Sequence, residues 1–150
     1  MNGILVRKAS EKDLPSIENV IIELIESLDN KVGIEKKAAV INFKEILKDS
    51  NSNFFIAEIN GTIVGFINFM TRRTLLHPGP SGLIDELVVS QKYQNKGIGK
   101  HLIQKAIEKS RQIGCYEIEV STEYNNKKAI DFYKKLGFEE KGIFFEKDLL

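Results

Sequence analysis

Apolar residues recur at helical spacing through the first third of the chain, after a short apolar strand at Ile4–Arg7. The spacing from Leu14 to Leu28 predicts an amphipathic helix. Ser10 and Asp13 before it resemble a capping box, with Asp13 in place of the usual Glu. A second helix is predicted from about Glu35 to Lys48. The residues that break the pattern between the two helices are Asp29, Asn30 and Gly33.

Two runs rich in Phe, Ile and Val follow, at Asn53–Ile59 and Thr62–Arg72. They are joined by Asn60-Gly61, a dipeptide that strongly favours a tight β-hairpin. The prolines and glycines of Leu75–Gly82 predict an irregular connection. The first strands of the sheet are therefore expected to be antiparallel.

The stretch from Leu83 to Val120 predicts a strand, a turn, a helix and a second strand. The first strand is Leu83–Val89, the helix ends at about Ile113, and the second strand is Tyr116–Val120. Two strands joined by a helix in one sheet lie parallel, with a right-handed crossover.

The last predicted helix begins at Asn125-Asn126 and ends at Leu136, with Gly137 as its stop. Phe138–Leu149 is expected to close the chain as a hairpin or bent strand around Gly142. The order β-α-α-β-β-β-α-β-α-β predicts a single mixed α/β domain over residues 1–150.

Composition excludes several classes of function. With 42% hydrophobic and 29% charged residues and a net charge of +1, the chain has no basic field for nucleic acid. No apolar run approaches the roughly 18 residues of a membrane span, and the first residues have no secretory signal. The single cysteine, Cys115, fits a reducing cytoplasm, and with the distant His77 and His101 it forms no zinc pattern. We therefore expect a soluble cytoplasmic protein with no metal and no nucleic-acid or membrane partner.

The turn Gln94-Asn95-Lys96-Gly97-Ile98-Gly99 lies between a strand and a helix. Unpaired backbone N–H groups and the helix dipole favour an anion at such a place, and Gly97 and Gly99 allow close approach of a phosphate. Neither the dinucleotide fingerprint nor the P-loop is matched. Taken alone, the turn is explained equally well as a simple helix start.

A second motif lies in the last helix, where residues 126–138 read N-x-x-A-x-x-F-Y-x-x-L-G-F. Together with Gln94-x-x-Gly97-x-Gly99, this motif resembles the GNAT superfamily of acyl-CoA-dependent N-acetyltransferases. The motifs cover about residues 84–138, and the order of elements extends the resemblance to the whole chain.

The resemblance implies an α/β (α+β) fold: a mixed, mostly antiparallel sheet with a central parallel, splayed strand pair and helices on both faces. It implies acetyl-CoA as cosubstrate, with its pantetheine arm between the fourth and fifth strands, and a backbone amide near Val88 that polarises the thioester carbonyl. The cofactor-binding residues it implies are Leu87, Val88, Val89, Gln94, Asn95, Lys96, Gly97, Ile98, Gly99, Lys100, Asn126 and Tyr133.

The resemblance implies Tyr133 as the general acid, because the family's usual acid occupies this motif position. Helical spacing places Tyr133 on one face with Asn126 and Ala129. A core aromatic is the alternative interpretation of Tyr133. Asn126 is expected to contact pantetheine, to cap the helix, or to do both.

Carboxylates on the two central strands are candidates for the general base. Alternation places Asp85 and Glu86 on opposite faces of the fourth strand, and Glu117 and Glu119 on one face of the fifth. We select Glu86 and Glu119. Ion pairing is the alternative explanation of each, and a route through water and backbone carbonyls is a further alternative.

The implied reaction is direct attack by an amine of a small molecule or a protein, without a covalent acyl-enzyme. Acidic residues near the first two helices weakly favour a cationic acceptor, such as a polyamine, an aminoglycoside or a protein amine, although solvated helix faces also explain them. These residues are Glu23, Glu26, Asp29 and Glu35. Two alternatives stay open: a non-catalytic CoA-binding regulatory module, and an acyltransferase that uses a longer acyl-CoA. A homodimer is also left open.

Overall fold

A computed structural model describes residues 3–28 and 35–150 of the chain. The helix-breaking residues Asp29, Asn30 and Gly33 lie outside the described residues. The chain forms two compact units, which divide in sequence between Glu119 and Val120. The single domain over residues 1–150 stays a prediction. In the part of the chain that the structure describes, no helix is long and apolar enough to cross a lipid bilayer.

The element order follows the predicted one as far as the last helix. The strands are β1 (Ile4–Lys8), β2 (Ser52–Ile59), β3 (Thr62–Arg72), β4 (Ser81–Val89) and β5 (Glu117–Val120). The helices are α1 (Leu14–Ser27), α2 (Lys36–Lys48), α3 (Ile98–Ile113) and, in the second unit, α4 (Lys127–Lys135).

The strands form one sheet in the order β1-β2-β3-β4-β5. The ladders β1–β2, β2–β3 and β3–β4 are antiparallel. Asn60 and Gly61 make the β2–β3 turn with φ of 49° and 78°, the left-handed conformation that a two-residue hairpin requires. The predicted hairpin is therefore confirmed.

Strands β4 and β5 run in the same direction. The Tyr116 amide donates to the Pro80 carbonyl over 2.8 Å, so the chain enters both strands at the same end. One residue further along each strand, the Ser81 hydroxyl donates to the Glu117 carboxylate over 3.2 Å. The predicted parallel pair is present, and the sheet is mixed, as expected.

Helices cover both faces of the sheet. On one face, α1 and α2 contribute Ile17 and Phe43 to an apolar cluster with Phe54, Phe66 and Val88 of the sheet. On the other face, buried residues of α3 form the second apolar layer: Ile98, Leu102, Ile103 and Ala106. This arrangement confirms the expected fold class.

The start of β4 differs from the prediction. Ser81 and Gly82, expected in an irregular connection, pair with Arg72 and Thr71 of β3. Gly82 suits the strand because a Cβ there would lie 3.3 Å from the Ile118 side chain. Pairing with β3, which local composition does not reveal, therefore extends β4 by two residues.

The closing hairpin expected at Phe138–Leu149 is wrong, since residues 138–150 contain no strand. The apolar run Ile143-Phe144-Phe145 is exposed. Within the described part of the chain, residues 139–150 make no backbone hydrogen bond to another segment. A strand needs a partner for its backbone groups, and a short apolar run between charged residues does not secure one.

The start of α1 is anchored to the sheet by a charged network. Ser10 donates its backbone N–H to Asp13 over 2.8 Å, so the predicted capping-box contact forms. Arg7 of β1 donates to both Asp13 oxygens, over 3.0 and 2.8 Å, and to Glu58 of β2. The hydrogen bonds from Arg7 lower the pKa of the buried Asp13 carboxyl against the opposing effect of burial.

Asp13→Asn is expected to lower the free energy of unfolding by about 1–2 kcal/mol at neutral pH, because Arg7 loses its charged acceptor. The pKa of Asp13 is lower in the folded state, so its contribution is present above the unfolded value, about 3.8, and is lost as pH falls through the folded value. Denaturant unfolding at neutral and acidic pH measures this. Glu11→Gln, which changes an exposed neighbour, is the control. An equal loss at both pH values would contradict the assignment.

Candidate active site

A β-bulge in β4 decides which way the Glu86 side chain points. Ile84 pairs with Phe69 of β3 and Glu86 pairs with Asn68, so Asp85 is an extra residue between them. Because Phe69 and Asn68 are consecutive, Ile84 and Glu86 lie on opposite faces, whereas strict alternation would place them on one face. The bulge interrupts the regular alternation of β4 at Asp85, and the opposite placement of Asp85 and Glu86 stays a prediction.

The bulge turns Glu86 towards the face that α1 and α2 cover. Two residues further along β4, Val88 pairs with Phe66, and both belong to the apolar cluster under those helices. Glu86 and its partner Asn68 share that face by alternation. Glu86 is half-buried there, and Asp85 is exposed.

Asn68 holds the Glu86 carboxylate. Its amide nitrogen Nδ2 donates to Glu86 Oε2 over 2.8 Å. Burial raises the pKa of the Glu86 carboxyl, the hydrogen bond from Asn68 opposes this shift, and the charge of Asp85 adds to it. A half-buried carboxyl with a raised pKa, next to an apolar cluster, is suited to accept a proton.

The carboxylates of β5 are engaged in ion pairs and hydrogen bonds. Glu119 Oε2 lies 3.3 Å from the Arg72 guanidinium of β3. Glu117 accepts from Ser81 and lies 3.6 Å from the His77 ring, which stacks on Tyr116. Glu119 therefore forms the ion pair that was the alternative explanation of its charge, whereas the partner of Glu86 is the neutral Asn68.

The glycine turn presents backbone amides at the start of α3. Gly97, the residue before the helix, has φ of 81°, a left-handed conformation that disfavours any side chain. The first backbone hydrogen bond of the helix runs from the His101 amide to the Gly97 carbonyl, 3.1 Å long. The amides of Ile98, Gly99 and Lys100 therefore precede the helical hydrogen-bond ladder and point out from the helix start, where an anion is favoured.

Two side chains connect this turn to the rest of its unit. Gln94 Nε2 donates to the Val89 carbonyl at the end of β4 over 3.1 Å. Glu23 of α1 accepts from the Ser90 hydroxyl over 2.8 Å and from the Gln91 amide over 2.9 Å. Glu23 thus links α1 to the residues before the turn.

In the second unit, α4 carries the other predicted site residues. Asn126 Oδ1 accepts from the Ala129 amide over 3.1 Å, so its predicted capping role is confirmed. The Tyr133 ring packs edge-on against Phe132 and Phe138, with ring centroids 5.2 and 5.6 Å apart. Burial raises the pKa of the Tyr133 hydroxyl, which keeps its proton on the oxygen at neutral pH.

The sequence predicts both Glu86 and the glycine turn as site residues. Both belong to the first unit: Glu86 lies in β4, and the turn follows the end of β4. Sequence reasoning missed Asn68 and the bracing role of Glu23. Asn68 had a detectable signal, because a polar amide stands inside the apolar run Phe66–Phe69. Glu23 had none, because its partners lie far along the chain.

Comparison with known proteins agrees with this arrangement. A model of the acetyltransferase (GNAT) family matches residues 20–138, a range that includes β4, the glycine turn, α3 and α4. A Trypanosoma brucei acetyltransferase of known structure is 25% identical and superposes with a TM-score of 0.78, covering 97% of this chain and 99% of that one.

Two relatives resemble the chain over most of its length. An uncharacterized N-acetyltransferase of Methanocaldococcus jannaschii is 32% identical over 142 residues, 92% of this chain. The chain spans only 62% of that protein. The aminoalkylphosphonate N-acetyltransferase of Salmonella typhimurium is 31% identical over 144 residues, which cover 96% of this chain and 90% of that protein. The chain therefore belongs to the GNAT family of acetyltransferases.

Proposed function

We propose that this protein is an N-acetyltransferase that moves an acetyl group from acetyl-CoA to a primary amine of a small molecule or a protein. The observation that carries the proposal is the half-buried Glu86 carboxylate, whose pKa is raised by burial, on β4, the strand that leads to the helix start at Gly97. Both relatives described above are N-acetyltransferases by name, which supports the same reaction.

The glycine turn fits a pyrophosphate. Bound acetyl-CoA supplies an activated acetyl thioester. The amides of Ile98, Gly99 and Lys100 are proposed to bind the pyrophosphate, because the helical ladder leaves them unpaired. Lys96 and Lys100 add positive charge, and Gln94 fixes the turn against β4. The backbone of Leu87, Val88 and Val89 is proposed to contact the pantetheine arm.

Glu86 is our choice for the general base. An alkylamine is mostly protonated at neutral pH and must lose a proton before it attacks. A raised pKa brings the Glu86 carboxyl closer to the working pH, which improves it as a proton acceptor. Glu119 is the weaker choice because its charge is paired with Arg72.

Tyr133 is proposed to protonate the leaving thiolate, and Asn126 to contact pantetheine in addition to capping α4. The raised pKa of Tyr133 keeps its hydroxyl protonated at neutral pH, the state that a proton donor needs. We propose direct attack without an acyl-enzyme. Burial raises the pKa of the Cys115 thiol, so the nucleophilic thiolate is disfavoured there.

Gly97→Ala is expected to weaken acetyl-CoA binding about tenfold, because the left-handed backbone that aims the amides becomes strained. Titration calorimetry measures the affinity. Gly61→Ala is the matched control: φ at Gly61 is 78°, but Gly61 lies in the hairpin. A Cβ at Gly61 meets open space, and one at Gly97 meets only His101 Nδ1 at 4.0 Å. Equal affinity in Gly97→Ala and wild type would count against the pyrophosphate site.

Glu86→Gln is expected to lower kcat about a hundredfold at neutral pH and to remove the acidic limb of the pH profile. Glu119→Gln should keep that limb. The same Glu86 variant should be more stable by about 1 kcal/mol at neutral pH, since a half-buried charge becomes neutral. The folded pKa of Glu86 is raised, so the cost of its charge is absent below the unfolded value and appears as pH rises through the folded value. An intact acidic limb in Glu86→Gln would reject Glu86 as the base.

A screen of amine acceptors with acetyl-CoA, read as release of free thiol, tests the whole proposal. The panel includes polyamines, aminoglycosides, peptide amines and aminoalkylphosphonates. Tyr133→Phe should lower kcat about a hundredfold with little change in KM, because the leaving thiolate loses its proton donor. Tyr124→Phe, at an exposed tyrosine of the same unit, is the control.

The screen also separates the alternatives. Binding of acetyl-CoA without turnover of any amine would favour a regulatory module. Faster turnover with propionyl- or succinyl-CoA would favour a longer acyl donor. An unchanged rate and pH profile in Tyr133→Phe would reject the acid role alone.

A further inference from the structure

We propose that Asn68 is a positioning residue for Glu86: its amide nitrogen fixes the carboxylate, and its buried carbonyl oxygen holds the water that carries the amine's proton to that carboxylate. The inference rests on the proposed function, because it supplies the proton route that the function requires.

The orientation of the Asn68 amide follows from the chemistry of its partner. An ionised carboxylate only accepts hydrogen bonds, so the amide nitrogen must face Glu86. The 2.8 Å distance from Nδ2 to Oε2 agrees with this orientation. The side-chain carbonyl oxygen Oδ1 is then free to accept a hydrogen bond from a second group.

That second partner is absent from the described residues. Asn68 is only 4% exposed, and Oδ1 is a buried acceptor without a hydrogen-bond donor in the described part of the chain. Phe54 lies directly opposite Asn68 on β2, and Phe66 is the next residue of β3 on the same face, so these neighbours offer no donor. Buried carbonyls are rarely left without a donor, and water commonly fills the role.

A water at this place would have the partners it needs. A buried water typically makes two to four hydrogen bonds to polar groups. Asn68 Oδ1 and the Glu86 carboxylate, whose residues are joined by the 2.8 Å hydrogen bond, would supply two acceptors, and the acceptor amine would supply a donor. The ammonium group loses one proton to the water, which passes a proton to Glu86, so the amine becomes neutral and the carboxylate becomes a carboxylic acid.

The other charged groups near Asn68 and Glu86 either have partners of their own or shift the pKa of Glu86 in a stated direction. Asp85, on the same strand, raises the pKa of Glu86. From α1, which packs against β4, Glu23 is bound to Ser90 and Gln91. On β3, Arg72 is paired with Glu119.

The titration of Glu86 tests the proposal directly. Carboxyl NMR of protein labelled with ¹³C-glutamate follows the Glu86 signal, which is assigned by its loss in Glu86→Gln. In Asn68→Ala we expect the pKa of Glu86 to rise by about one unit, the equivalent of one charge-assisted hydrogen bond. The acidic limb of the kcat profile should move to higher pH by the same amount, while KM for the amine is unchanged.

Three variants separate positioning from a general loss of stability. Asn53→Ala removes another buried asparagine, which pairs with Phe69 and therefore lies on the opposite face, and it should leave the Glu86 titration in place. Asn68→Asp keeps the side-chain size and replaces the donor with a like charge, so it should raise the pKa of Glu86 even if Asn68→Ala does not fold. Asp85→Asn should lower the pKa of Glu86, because it removes a neighbouring negative charge.

The outcomes distinguish the inference from the function beneath it. If the wild type is active but neither Asn68 variant moves the Glu86 titration or the acidic limb, the role of Asn68 is overturned and the acetyltransferase stands. An equal shift in Asn53→Ala also overturns it. Absence of any amine acetylation by the wild type overturns both.

Discussion

The extra residue at Asp85 determines where the Glu86 carboxylate lies, because it reverses the direction of the side chains along β4. Before the bulge, Ile84 faces the layer under α3; after it, Glu86 and Val88 face α1 and α2. Without the extra residue, Glu86 would follow Ile84 into that apolar layer, where an unpaired carboxylate is costly. With it, the carboxylate meets Asn68, and Val88 still joins the core. One inserted residue thus satisfies both packing and chemistry.

The start of α3, which follows β4, depends on hydrogen bonds from Gln94 and Glu23 as well as on its own residues. The amides of Ile98 to Lys100 can face an anion only while the turn before them keeps its shape. Gln94 holds that turn to the end of β4, and Glu23 holds the preceding residues to α1. The helix that shapes the face of Glu86 is therefore also tied to the proposed pyrophosphate site. Glu23 and Gln94, which are far apart in sequence, therefore both position the turn before α3.

Local sequence signals predicted most of the fold, because hydrophobic period and turn chemistry act over a few residues. The Asn60-Gly61 hairpin and the Asn126 cap are of this kind. What the sequence left hidden depends on tertiary contacts: the bulge at Asp85, the bracing role of Glu23, and the lack of a strand after Phe138. The sequence indicates Glu86 by its charge within a strand. Its partner Asn68 lies on the neighbouring strand β3 and could not be identified from local sequence.

The most direct test of the central claim compares amines of different basicity in Glu86→Gln. If Glu86 removes the proton from the attacking amine, the variant should lose most activity towards strongly basic alkylamines. It should retain near wild-type activity towards a weakly basic amine that is already neutral at about pH 7. Acetyl-CoA-dependent thiol release measures both. Equal losses for the two kinds of amine would contradict the assignment of Glu86 as the general base.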